Sequence, residues 1–164
     1  MRFHLARAEI AGGGICGLAT ALALHRKGIG CTVLRRSDAL RETGAAIGIQ
    51  TNGWRALNHL GIGSKLRQTS VPLLGFREVS PTNISSKLNP IGDGEGRCQK
   101  RSVLLETLSN ELPAGTIYFG CRIVAIEMDA NTKYPVLYLN YGRVIKAKEL
   151  SKANYTRGLD LYFH

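Results

Sequence analysis

The chain has 164 residues, 44% of them hydrophobic and 21% charged, and 22 Lys+Arg against 12 Asp+Glu give a net charge of +10. This composition excludes long disorder, collagen and extended coiled coil. No apolar run approaches the roughly 20 residues that span a bilayer, and the N-terminal residues have no apolar stretch of the secretory type.

In chain order, residues 5–11 form a poor strand, interrupted by Arg7 and Glu9. Burying either side chain unpaired is costly, so this strand is expected to shift register or fray. Residues 15–27 predict a helix. Ile15, Leu18, Ala19, Leu22 and Ala23 recur at helical spacing, and Gly28 follows as a stop. A short buried strand is expected at 31–34. A loop holding Gly44 and Gly48 then leads to a helix at 52–60, ended by Gly61. Residues 76–80 read as a strand. The stretch 81–96, rich in Pro, Gly, Ser and Asn, reads as a loop or a weak hairpin. Ser102 is placed to cap a helix running to Leu112, with Leu104, Leu105, Leu108 and Leu112 on one stripe and Pro113 and Gly115 ending it. Strands are expected at 116–121 running into 122–128, then at 136–140 and 144–148. Asn140, Tyr141 and Gly142 supply the hairpin turn between the last two. The pattern is α/β early and a small antiparallel unit late.

The positive charge is spread along the chain, with no block of like residues. Nucleic-acid binders gather charge on one face, so no nucleic-acid partner is expected. A diffuse positive field suits anionic cofactors at least as well. Cys16, Cys31, Cys98 and Cys121 form no CxxC pair and no zinc spacing. They read as reduced thiols, which points to a cytoplasmic location, with the chloroplast as the alternative. His4, His25, His59 and His164 share no ligand spacing, so no metal site is assigned. Ser64, Ser102 and Ser109 lack a nucleophile-elbow context, no acid/base pair of carboxylates stands out, and no catalytic residue is assigned. Trp54 reads as core.

The strongest local signal is the run Gly12, Gly13, Gly14, Ile15, Cys16, Gly17. It fits G-x-G-x-x-G, follows a candidate strand and opens a good helix. Gly12 permits the tight turn, Gly14 lets backbone approach a pyrophosphate, and Gly17 lets helix and strand pack closely. The helix N-terminus offers free N–H groups to phosphates. The alternative is a merely tight turn. At the end of the second strand, where an acid would bind ribose hydroxyls, stand Arg35 and Arg36, with Asp38 beyond them. Arginine there points to a 2′-phosphate and NADP, or else to a solvated pair.

The run from Gly13 to Gly28, with Val33-Leu34-Arg35-Arg36-Ser37, resembles the opening of plant FAD-dependent monooxygenases similar to salicylate hydroxylase and zeaxanthin epoxidase. Thr43-Gly44-Ala45-Ala46-Ile47, Asn52-Gly53-Trp54-Arg55-Ala56-Leu57, Arg97-Cys98, Lys100-Arg101 ahead of Leu104-Leu105-Glu106-Thr107-Leu108, and Leu112-Pro113-Ala114-Gly115-Thr116-Ile117 continue the resemblance over roughly residues 10–150. It implies a partial Rossmann-like FAD-binding fold followed by part of a small antiparallel sheet. It also implies FAD as cofactor, NAD(P)H as reductant, and transfer of one oxygen atom from O₂ to a small-molecule substrate. By resemblance Gly12, Gly14 and Gly17 cradle the FAD pyrophosphate, Arg36 lies beside the adenosine half, and Arg101 contacts FAD, with a plain surface charge as the alternative for Arg101. Arg35 departs from the family, which has the ribose-binding glutamate there. Residues 1–150 are read as the N-terminal portion of the FAD-binding domain, and 151–164 as a divergent tail without family match. The expected product is therefore a truncated relative, not catalytically competent as these 164 residues. A non-catalytic relative or a basic nucleotide-binding module is the alternative.

Overall fold

A computed structural model describes residues 5–6, 8–40, 45–80, 83–90 and 94–152. His4, Arg7, Thr43, Gly44, His164 and the tail after Lys152, named above, lie outside the described residues.

The expected first strand is two strands, β1 (Leu5–Ala6) and β2 (Glu9–Ala11), which join different sheets. Helix α1 (Ile15–Arg26) follows and buries Gly17, Leu18, Ala21 and Leu22, the three-and-four spacing of an amphipathic helix. Gly28 stops it at φ +71°, a left-handed conformation that costs a glycine little. Next come β3 (Thr32–Leu34), β4 (Ala46–Ile49), α2 (Thr51–His59) and α3 (Gly63–Arg67). β5 (Val71–Pro72), β6 (Gly75–Ser80), β7 (Asn83–Pro90) and β8 (Arg97–Lys100) follow. Of the two readings for 81–96, the hairpin is realised, since β7 pairs antiparallel with β6. Helix α4 (Arg101–Asn110) begins directly after β8, so Ser102 lies inside the helix instead of capping it. The chain continues with β9 (Ile117–Tyr118), β10 (Ile123–Met128), β11 (Pro135–Leu139), a 3₁₀ turn (Asn140–Gly142), β12 (Val144–Ala147) and β13 (Leu150–Lys152).

The chain divides into two units, one of residues 1–41 and 108–164, the other of residues 42–107. The first unit holds a parallel sheet of order β13-β2-β3-β9 and a second sheet of order β1-β12-β11-β10. In the second sheet β1 runs parallel to β12, and the remaining pairs are antiparallel. β2 neither shifts nor frays. It pairs Glu9 with Thr32, Ile10 with Val33 and Ala11 with Leu34, and Glu9 enters the interior at 2% exposure. β13 crosses the boundary expected after residue 150, pairing Leu150 with Glu9, Ser151 with Ile10 and Lys152 with Ala11. Leu34, Cys121, Leu137, Leu139, Ile145 and Ala147 form a buried cluster, with Ile123, Ile126 and Leu150 packed against it.

The second unit holds a three-stranded antiparallel sheet, β4-β8-β5, and the β6–β7 hairpin. Trp54 is buried, as expected. The Arg67 guanidinium lies 4.7 Å from the centroid of its ring. The same guanidinium donates to both carboxylate oxygens of Glu95 at 2.7 Å and to Asn58 Oδ1 at 2.8 Å. Such fork geometry fixes an arginine far better than a single contact. No described helix is long and apolar enough to cross a membrane.

Candidate cofactor site at the glycine turn

The parallel sheet of the first unit sets the site. β2 runs into the glycine turn, α1 leaves it, and β3 lies beside β2 with its carboxyl end at the same edge. Ligands of such sheets bind beyond the carboxyl ends of the strands. Gly12 sits at φ +119°, where a side chain would be strained, and its N–H donates to Leu34 O at 2.9 Å. The turn is thereby tied to the end of β3. Gly14 is the N-cap of α1 in extended conformation and supplies no side-chain cap, and the first turn holds no acidic residue. The positive end of the helix dipole therefore meets no competing carboxylate of its own helix. Gly17 is buried on the packed face of α1.

Arg35, the residue after β3, is pinned through its backbone. Its N–H donates to Tyr118 O at 2.8 Å, and its carbonyl accepts from Cys121 N at 2.8 Å. Its side chain turns back onto the glycine turn, with Nη1 donating to Gly13 O and Nε donating to Ala39 O at 3.0 Å. Sequence reasoning found the charge reversal at this position but not the return of the side chain to the turn. The readable signal is a glycine, Gly13, opposite a long residue. A Cβ on Gly13 would stand 3.0 Å from Arg35 Cβ and 3.1 Å from its Cγ and Cδ. Arg36 and Asp38 are exposed beyond it. Arg101 is the half-buried first residue of α4, in the other unit.

One titrating group lies beneath this edge. Burial lifts the Glu9 carboxyl to about 7, against the opposing pull of a hydrogen bond with Thr32. Burial, then the Glu9 charge, pushes the Cys31 thiol up. Burial does the same for Cys121, opposed by Arg143 and reinforced by Glu9. No group of three His, Cys, Asp or Glu among the described residues is placed to hold a metal ion. The four cysteines carry no disulfide.

Comparison with known proteins gives this geometry a family. The model of the FAD binding domain matches residues 6–159. Monooxygenase 1 of Arabidopsis thaliana is 50% identical over 143 residues, covering 86% of this chain and 36% of that protein. Monooxygenase 2 of the same plant is 38% identical over 145 residues, covering 86% of this chain and 35% of that one. The chain thus spans about a third of the length of these relatives. Among solved structures, 2-methyl-3-hydroxypyridine-5-carboxylic acid oxygenase superposes with a TM-score of 0.72 at 30% identity, covering 89% of this chain and 38% of that one. The p-nitrophenol 4-monooxygenase PnpA of Pseudomonas putida superposes with a TM-score of 0.75 at 17% identity, covering 90% and 40%, a likeness of fold. The uncapped helix start and the left-handed Gly12 fit the diphosphate of FAD. The chain belongs to the FAD binding domain family, and its curated relatives include plant monooxygenases.

Proposed function

We propose that this chain binds FAD by its pyrophosphate at the glycine turn and supplies the cofactor-holding part of a flavin monooxygenase. Gly12 and Gly14 let backbone reach the phosphates, Gly17 keeps α1 close to the sheet, Arg36 serves the adenosine half, and Arg101 makes a second contact with the cofactor. The reaction of the whole protein in this reading is NAD(P)H- and O₂-dependent oxygenation of a small molecule. That chemistry is the flavin's, and the chain's share is to bind and orient it. No described residue is given a proton-transfer role. The reduced cysteines support a cytoplasmic location.

The observation that carries the reading is the α1 N-terminus, with no side-chain cap at Gly14 and no acid in the first turn. Gly14→Asp tests it without disturbing the fold, because aspartate is a preferred N-cap and the position has ordinary extended backbone, φ −83° and ψ −173°. The variant's own carboxylate would occupy the free N–H groups and repel phosphate. Thermal stability is expected to hold or rise by a few tenths of a kcal/mol, while FAD affinity, read by quenching of flavin fluorescence, drops by about tenfold or more. Equal FAD affinity in the two proteins would overturn the reading.

A further inference from the structure

We propose that Arg35 is an internal latch on the dinucleotide site, closing the place of the adenosine ribose until its side chain swings away. The inference rests on the cofactor reading above and concerns the end of the site that the glycines do not form. In a strand–glycine turn–helix–strand unit the ribose lies at the carboxyl end of the second strand, against the turn. Arg35 is the residue at that end, and it is 7% exposed. Its guanidinium holds the carbonyls of Gly13 and Ala39, one on each side. Its aliphatic stem lies on Gly13, leaving less than a normal contact for even one added carbon. Backbone bonds to Tyr118 and Cys121 on both sides of Cα prevent the residue from backing out as a whole. Only rotation of the side chain opens the place.

The chemistry of the group sharpens this. A guanidinium only donates hydrogen bonds, whereas a carboxylate accepts them from both ribose hydroxyls. The latch therefore obstructs in the closed position and, in the open one, cannot accept from the hydroxyls as a carboxylate does. A 2′-phosphate would suit an open arginine, but the observed guanidinium is committed to backbone carbonyls instead of being presented to a ligand. The latch predicts weak adenosine binding released by truncation, and not a preference for phosphorylated ribose.

The test titrates the 164-residue chain and two variants with FAD, inorganic pyrophosphate, NAD⁺ and NADP⁺. Arg35→Met keeps the stem on Gly13 and removes the guanidinium, and Arg35→Glu supplies the acceptor. Circular dichroism and thermal melts establish that each is folded, and Arg35→Gln, which lacks the guanidinium and carries an acceptor oxygen, stands in for either variant that is not. FAD is expected to bind Arg35→Met about tenfold tighter than the parent chain, and Arg35→Glu tighter still. Pyrophosphate, which has no ribose, should bind Arg35→Met no tighter than the parent. Equal or weaker FAD binding to Arg35→Met overturns the latch. So does NADP⁺ binding the parent more tightly than NAD⁺ with the difference lost in Arg35→Met, because the arginine is then a ligand of the 2′-phosphate. If no variant gains FAD binding yet pyrophosphate binds and Gly14→Asp abolishes it, the latch fails while the glycine cradle stands. Loss of pyrophosphate binding throughout would strike the cradle itself.

Discussion

Glu9 shows how one side chain can set the pH response of a small fold. It lies in β2, between β13 and β3, in a position that parallel sheets normally fill with an apolar residue. One of its oxygens, Oε2, has no hydrogen-bond partner among the described residues. Its carboxyl titrates at about 7 in the folded chain against 4.5 for an ordinary glutamate. The folded state thus holds this proton more tightly than the unfolded state. The cost of ionisation is absent below about 4.5, grows as pH rises through the interval, and is complete above about 7. At 1.36 kcal/mol per pH unit the full penalty is about 3 kcal/mol. Glu9→Gln keeps the shape and removes the titration. Its melting temperature should stand closest to that of the parent near pH 4 and exceed it clearly at pH 8. Parallel melting curves across that range would show that the carboxyl is hydrated and the burial illusory. The sequence exposed the conflict between Glu9 and a buried strand, but not its resolution. Fraying and burial of a neutral acid both relieve an unpaired charge, and the choice depends on how strongly the pairing with β3 and β13 holds the strand.

At the scale of elements, what was legible follows the range of the interactions. Helix α1, β3 and α2 are set by local periodicity and glycine stops, and their residues announced them. In the β4-β8-β5 sheet, β4 pairs with a strand about fifty residues away, as at Ile47 to Gln99. β8 reads Arg-Cys-Gln-Lys, with no apolar alternation to mark it. The division of residues 5–11 between two sheets was hidden for the same reason, since it is dictated by partners at Val144–Ala147 and Thr32–Leu34. The β10–β11 connection shows a turn built by one side chain. Asp129 Oδ1 accepts from Asn131 N at 3.1 Å, Thr132 N at 2.7 Å and Thr132 Oγ1 at 2.8 Å, while Oδ2 pairs with Lys146 Nζ at 2.9 Å. These bonds, led by the backbone N–H of Thr132, hold the carboxyl well below the usual carboxylate range. The folded value lies below the unfolded one, so the contribution is present at neutral pH and is lost as pH falls below the ordinary aspartate range. Asp129→Ala should accelerate amide exchange at Asn131 and Thr132 at neutral pH and leave it nearly unchanged in α1. A uniform acceleration through both elements would mean that the turn is coupled to the whole unit.

Charge belongs to the molecule as a whole. The net +10 is distributed along the chain, and the unit holding the glycine turn carries the larger share. A spread field of this kind does not choose a binding place, but it raises the local concentration of an anion before contact. In the proposed reading the place is chosen by short-range geometry at Gly12 and Gly14, and the turn itself was legible in the sequence because its glycines stand at fixed spacing. The adenosine end was less so, because residue type at position 35 gives polarity but not where a long side chain folds. The two contributions separate by their response to salt. Screening reaches about 30 Å at 0.01 M and about 10 Å at 0.1 M ionic strength, so it acts on the distant field well before it acts on bonds at the turn. In stopped-flow quenching of flavin fluorescence, the association rate constant of FAD should fall several-fold between about 10 and 500 mM NaCl, with the dissociation rate constant nearly fixed. Riboflavin, which lacks phosphates, should show no such fall in any association it displays. If the salt effect sits in dissociation instead, the positive residues act as ligands at the bound cofactor, and the surplus charge is a contact surface and not a field.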